Sequence, residues 1–90
     1  MKFGWDPHKA KVNLRKHGVS FEEAATALLH ELSKSSLDPD HSLIEKTFVT
    51  FGVSARGRLL AVSYTESSEM VRIISARKAT RRERKIYEEH

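Results

Sequence analysis

Arg72 and Arg77 stand five residues apart in the run MVRIISAR. Strand alternation places Met70, Arg72, Ile74 and Ala76 on one face, with Val71, Ile73, Ser75 and Arg77 on the other. Arg72 is then expected mid-strand among apolar neighbours. A guanidinium there needs a carboxylate from within the fold or a phosphate from outside. Arg58 opens the adjacent strand and lies near one end of this one or the other, depending on register. A convergent arginine pair would stabilise the charge that builds on a phosphate in a transition state.

Three further groups carry chemistry. Ala10, Asn13, Leu14 and His17 recur at helical spacing, so two polar residues share a face that should pack. Either they bond to a helix end or a neighbouring backbone, or His17 points into a cleft and moves protons near neutrality. Lys9 and Lys16 lie on an adjacent face, placed for phosphates or for solvent. Near the end of the sequence, Arg77, Arg81, Arg84 and Lys85 share one flank, and Ile86 is expected to pack inward. Glu83 is the third residue of a capping box or the partner of a nearby arginine. Tyr87, one turn on, packs, orients a phosphate or stacks on a base.

Several chemistries are excluded. Without cysteine there is no disulfide, thiolate nucleophile or Cys-ligated metal. The five histidines show neither HxxxH nor HExxH spacing, so no metal site or cofactor is expected. No glycine-rich phosphate loop or GxSxG elbow is present. Arg, Lys, His, Tyr and Glu remain, an inventory suited to attack of an RNA 2′-hydroxyl on its own phosphate. There the nucleophile belongs to the substrate, and the protein positions, neutralises charge and shuttles protons. The charge agrees: before residue 46, Lys and Arg number 6 against 7 Asp and Glu, and from there 10 against 5. With a pI near 9.6 the second half has the electrostatic footprint of a polyanion binder.

These residues must be positioned by elements that the sequence marks. Lys2 to Trp5 reads as a short strand, and Asp6-Pro7 as the cap and first position of a helix that stops at Gly18. Ser20 to Glu23 starts a second helix, with Val19 set to staple onto Ala24 and with Phe21, Ala24, Ala25, Leu28 and Leu29 on one face. LSKSSLD is a candidate edge strand and DPDHS a turn. KTFVTFGV, RLLAVSYT and MVRIISAR read as strands, joined by SARG and ESSE turns. Thr80 to Glu83 opens a C-terminal helix. Strands joined by short turns are antiparallel neighbours, so the expectation is one α+β domain, residues 1–90, with helices on one face of an antiparallel sheet of three to four strands. No stretch suits a signal peptide or a bilayer span, which makes a cytoplasmic location the default.

WDPHKAKVNLRKHGVSFEEA, DPDHS followed by GRLLAVSYTE, and RIISARKATRRERKIYEE together resemble the BrnT toxin family over nearly the whole sequence. The resemblance implies a RelE-like fold and a metal-independent endoribonuclease toxin of a type II toxin–antitoxin module that arrests translation. It implies a ribbon-helix-helix antitoxin of the BrnA type as partner, with DNA contacted mainly through that antitoxin. By motif position it nominates His17, Arg72, Arg77, Glu83 and Tyr87 as the active site. Arg72 and Arg77 would take the scissile phosphate, His17 or Glu83 would be the base, and Tyr87 would orient substrate. Lys9, Arg58, Lys78, Arg81 and Arg84 would track the RNA backbone. The competing expectation is a toxin-like module that holds RNA or an antitoxin without cutting.

Overall fold

Asp6 and Pro7 start the first helix in the way their types predict. The computed structural model describes residues 2–32, 47–67 and 70–89, except the side chains of Glu31 and Leu32. In it the Asp6 carboxylate accepts from the His8 backbone N–H at 2.8 Å and caps α1 (Pro7–His17). Gly18 closes that helix at φ 69°, a conformation that strains any residue with a Cβ. Ser20 starts α2 (Phe21–Leu32) by accepting from Glu23 N–H at 3.1 Å. The Glu23 side chain does not reach back to complete the box. It turns instead toward Ser54 and Arg58.

Among the described residues, four strands follow the pattern only in part. They are β1 (Lys2–Gly4), β2 (Thr47–Val53), β3 (Leu59–Ser67) and β4 (Met70–Lys78), in the sheet order β1-β4-β3-β2. β2, β3 and β4 form the expected antiparallel meander, turned at Ser54–Gly57 with Gly57 at φ 78°. The sheet is mixed, however, because β1 pairs parallel to β4. The two helices and the β2–β3 hairpin, all between β1 and β4 in sequence, supply the long crossover that parallel pairing requires. Of the candidate edge strand over residues 32–38, Leu32 ends α2; the remainder and the DPDHS turn lie outside the described residues. Glu66 and Ser67 of the expected ESSE turn belong to β3, while residues 68–69 lie outside that description.

Packing of α1 and α2 on one sheet face makes the core. Val19, Phe21, Ala24 and Leu28 meet Leu60, Val62, Tyr64, Val71, Ile73 and Ala76. Each large side chain fully buried there contributes about 1.5–3 kcal/mol. Trp5 meets Phe21 edge-on at 6.0 Å, and Phe48 stacks on Tyr64 at 5.6 Å. Leu29, expected inward, is 56% exposed, and Ala27 takes the inner position. The C-terminal helix α3 (Arg81–Glu88) buries no residue, and its Ile86 points to solvent rather than inward. It is held by its cap: Thr80 accepts from Glu83 N–H while the Glu83 carboxylate accepts from Thr80 N–H.

One irregularity decides the faces of the sheet. Ser63 pairs with Ser75 but Tyr64 pairs with Ile73, leaving Ile74 as an extra residue on β4. Such a bulge inverts the alternation beyond it. Val71, Ile73 and Ala76 therefore all face the helices, although simple alternation separates Ala76 from the other two. Arg72 and Arg77, which simple alternation sends to opposite faces, both leave β4 on the side away from the core. Arg72 is consequently exposed, not set among buried apolar neighbours.

Candidate active site on the open face of the sheet

The registers place Thr47, Thr65 and Arg72 in one row across β2, β3 and β4. Val49, Ser63 and Ser75 make the next row, and Phe51, Ala61 and Arg77 the third. All nine positions lie on the face away from α1 and α2. Arg72 extends into solvent at its end of this face. Leu59 and Ala61 also point this way, yet each is only 5% exposed, so the opposite end is covered.

Arg77 is engaged at that covered end. Its Nη1 donates to Glu83 Oε1 at 2.7 Å and its Nη2 to Glu83 Oε2 at 2.9 Å, a bidentate pair that ties the first turn of α3 to β4. The Arg77 guanidinium, with the Thr80 backbone N–H, holds the Glu83 carboxyl down at about 2. The same contact raises Arg77 further above its ordinary value. Tyr87 sits one turn beyond Glu83 on α3 and is half-buried. Arg77 and Glu83 are thus brought into direct contact, with Tyr87 on the same helix and Arg72 on the same sheet face.

His17 approaches from elsewhere. Asn13, one turn before it, reaches the side of β4 that β1 leaves uncovered after Gly4. Asn13 Nδ2 donates to the Ala76 carbonyl at 2.8 Å and the Val19 carbonyl at 2.9 Å, while Oδ1 accepts from Ala76 N–H at 3.1 Å. Its amide makes the two bonds a neighbouring strand would make. This satisfies the backbone-bonding alternative for Asn13. His17, one turn on in α1, is half-buried, whereas Arg72 and Arg77 leave β4 on the face opposite α1 and α2.

Arg58 is occupied by the fold. Its Nε donates to Glu23 Oε2 at 2.9 Å, and its Nη2 reaches Glu23 Oε1 and the Gly18 carbonyl at 3.1 Å. Ser54 Oγ donates to the same carboxylate at 2.6 Å. Arg58 first, then Ser54, lower the Glu23 carboxyl against the opposing effect of burial. The cluster joins the β2–β3 turn to both N-terminal helices. Lys9 is exposed on α1, Lys78 ends β4, and Arg81 and Arg84 are exposed on α3. Among the described residues no three His, Asp or Glu side chains converge as a metal site.

The sequence reading passed over Glu23 as a buried anchor and Ser63, Thr65 and Ser75 as neighbours of Arg72. A signal for the second group existed, since Ala61, Ser63, Thr65 and Ser67 recur at every second position of β3. For Glu23 there was none, because its partners lie 31 and 35 residues away.

No curated protein matches the chain. In fold the chain is similar to the crystal structure of the Brucella abortus ribonuclease toxin, BrnT. The identity is 26% and the TM-score 0.58, over 90% of this chain and 99% of that one. Residues 5–83 match the model of the ribonuclease toxin, BrnT, of type II toxin–antitoxin systems. That span takes in Arg72, Arg77 and Glu83 and stops short of Tyr87. On this match the chain belongs to the BrnT family of ribonuclease toxins of type II toxin–antitoxin systems.

Proposed function

We propose that this chain is a RelE-like, metal-independent endoribonuclease that works on the open face of its sheet and arrests translation in the cytoplasm. The observation that carries the reading is the bulge at Ile74, which turns Arg72 and Arg77 onto one accessible face. The substrate's 2′-oxygen attacks the adjacent phosphorus as its proton passes to a base. The bond to the 5′-oxygen breaks with that oxygen taking a proton from solvent, and a 2′,3′-cyclic phosphate and a 5′-hydroxyl form. Arg72 binds the scissile phosphate as negative charge accumulates on it. Arg77 joins it from a position set by Glu83, and Tyr87 orients the substrate. Lys9, Lys78, Arg81 and Arg84 track the RNA backbone, while Arg58 supports the fold through Glu23.

Assignment of the base follows from protonation. A carboxyl held at about 2 has little tendency to accept a proton at neutral pH while Arg77 is bound to it. His17 is the remaining candidate, and it is carried by α1, across the sheet from Arg72 and Arg77. Catalysis on this reading depends more on positioning and charge neutralisation than on a matched acid–base pair. A ribbon-helix-helix antitoxin of the BrnA type neutralises the chain, and the complex represses its own operon through DNA contacts made mainly by the antitoxin.

Incubating the purified, folded chain with single-stranded RNA in EDTA tests the reading: cleavage with cyclic-phosphate ends is expected. RNA left intact by folded protein sinks it and favours the second reading, a non-catalytic module that binds RNA or antitoxin. The engaged state of Glu83 is the observation on that second side.

A further inference from the structure

The open sheet face is a trough with two unlike walls. Along β3 its floor carries the small side chains Ala61, Ser63 and Thr65 and ends at the covered Leu59. On the β4 side stand Arg72 and Arg77. On the β2 side stand Val49, 57% exposed, and the half-buried Phe51. The walls are two strand spacings apart, about 9–10 Å. An antiparallel sheet face turned to solvent normally carries polar side chains throughout. Here an apolar and aromatic wall faces a cationic one across a floor bearing the hydroxyls of Ser63 and Thr65.

A nucleotide has the same asymmetry, a phosphate at one end and a π-faced base at the other. We propose that this trough holds one unstacked nucleotide of single-stranded RNA, its base against Phe51 and Val49 and its phosphates at Arg72 and Arg77. The proposal rests on the ribonuclease reading and adds to it the residues that receive the base. Ser63 and Thr65 lie between the walls, within reach of the ribose 2′-hydroxyl or a base edge. A base in a duplex is stacked and paired and cannot lie against a side chain in the floor of a sheet. Loops and single strands are therefore the substrates. Charge complementarity selects RNA over an apolar peptide as occupant, since Arg72 on the opposite wall presents an exposed guanidinium and Arg77 beside it is held in place by Glu83.

Binding of a fluorescent single-stranded oligonucleotide, 2′-deoxy at every position so that it cannot be cut, is measured by anisotropy on the full chain. Phe51→Ala is expected to weaken binding by about 5- to 100-fold, the loss of one stacked base. Its dependence on salt should stay that of the parent, because no phosphate contact is lost. Phe51→Trp should retain affinity, with its indole emission quenched by the oligonucleotide. Removing a single base from the oligonucleotide should weaken the parent at one position along the strand and leave Phe51→Ala indifferent there. Should Phe51→Ala prove unfolded by circular dichroism, Phe51→Leu keeps the bulk without the π-face and is expected to show the same loss. Equal affinity of folded Phe51 variants and parent overturns the proposal, as does an abasic penalty that is the same for both. Loss of antitoxin binding with RNA binding unchanged would also overturn it, by giving the face to the antitoxin. A parent chain that cleaves RNA while these tests fail loses only the base subsite; a parent that neither binds nor cuts RNA loses the ribonuclease reading itself.

Discussion

At the scale of single residues, the two strand arginines differ in what holds them. Arg72 is exposed, and Arg77 is clasped at both of its terminal nitrogens by Glu83. Arg72→Ala should leave stability within about 0.5 kcal/mol of the parent, as for surface changes in general. Its RNA cleavage should fall by about 100-fold or more, the scale of losing one transition-state charge partner. A thermal melt and single-turnover cleavage on the same preparation check both halves; a collapsed melt would mean that Arg72 braces the fold. Glu83 makes a different prediction. Its carboxyl is depressed on folding, from an ordinary 4.5 to about 2, so its stabilising pair is present above about pH 4.5 and is lost as pH falls toward 2. Hydrogen-exchange protection of α3, taken relative to the unfolded chain at each pH, should fall across that acid window in the parent. Glu83→Gln should show low protection at neutral pH and little further loss of protection on acidification.

Elements are joined here by side chains that stand in for backbone. Asn13 completes the edge of β4 at Ala76 and simultaneously fixes the α1–α2 turn at Val19. Asn13→Ala should cost about 2–4 kcal/mol, because it strands buried backbone groups that water cannot reach. Asn13→Asp should be similarly damaging, since a carboxylate turned toward two carbonyls has no proton to donate. Urea unfolding of the two variants measures this, and a stable Asn13→Asp would overturn the strand-like role. By contrast Thr80→Ala removes only the cap of a helix that buries nothing, so about 1 kcal/mol should be lost locally in α3 with the core unaffected. Both helix starts and the Gly18 stop were legible in the sequence, because capping is settled within four or five residues. The inward orientation expected of Ile86 failed for the complementary reason. Helical spacing names a face, but only the surface beneath decides whether that face is buried.

For the whole molecule, the charge asymmetry becomes a spatial one. The basic second half supplies Arg77, Lys78 and all of α3 at one end of β4 and Arg72 toward the other. Binding to single-stranded RNA should therefore weaken steeply with salt. Arg81→Gln and Arg84→Gln should each flatten the log–log slope by about 0.7, if each contacts one phosphate. An unchanged slope would assign these residues to the solvated surface.

What the sequence alone determined is local or compositional: the element types, the caps at Asp6 and Thr80, the positive-φ glycines, the basic half and the absence of thiol chemistry. The tertiary structure decided how those pieces face one another. It added Ile74 as a bulge against β3, so that Arg72 and Arg77 share a side that counting by twos denies them. It paired β1 parallel to β4 across an intervening stretch of more than half the chain. It committed Arg58 to Glu23 and Arg77 to Glu83, ion pairs whose second member no periodicity identifies. The physical reason is common to all three. Capping and periodicity are energies of a few neighbouring residues, whereas register, bulges and ion pairs are energies of contact between segments brought together only by folding.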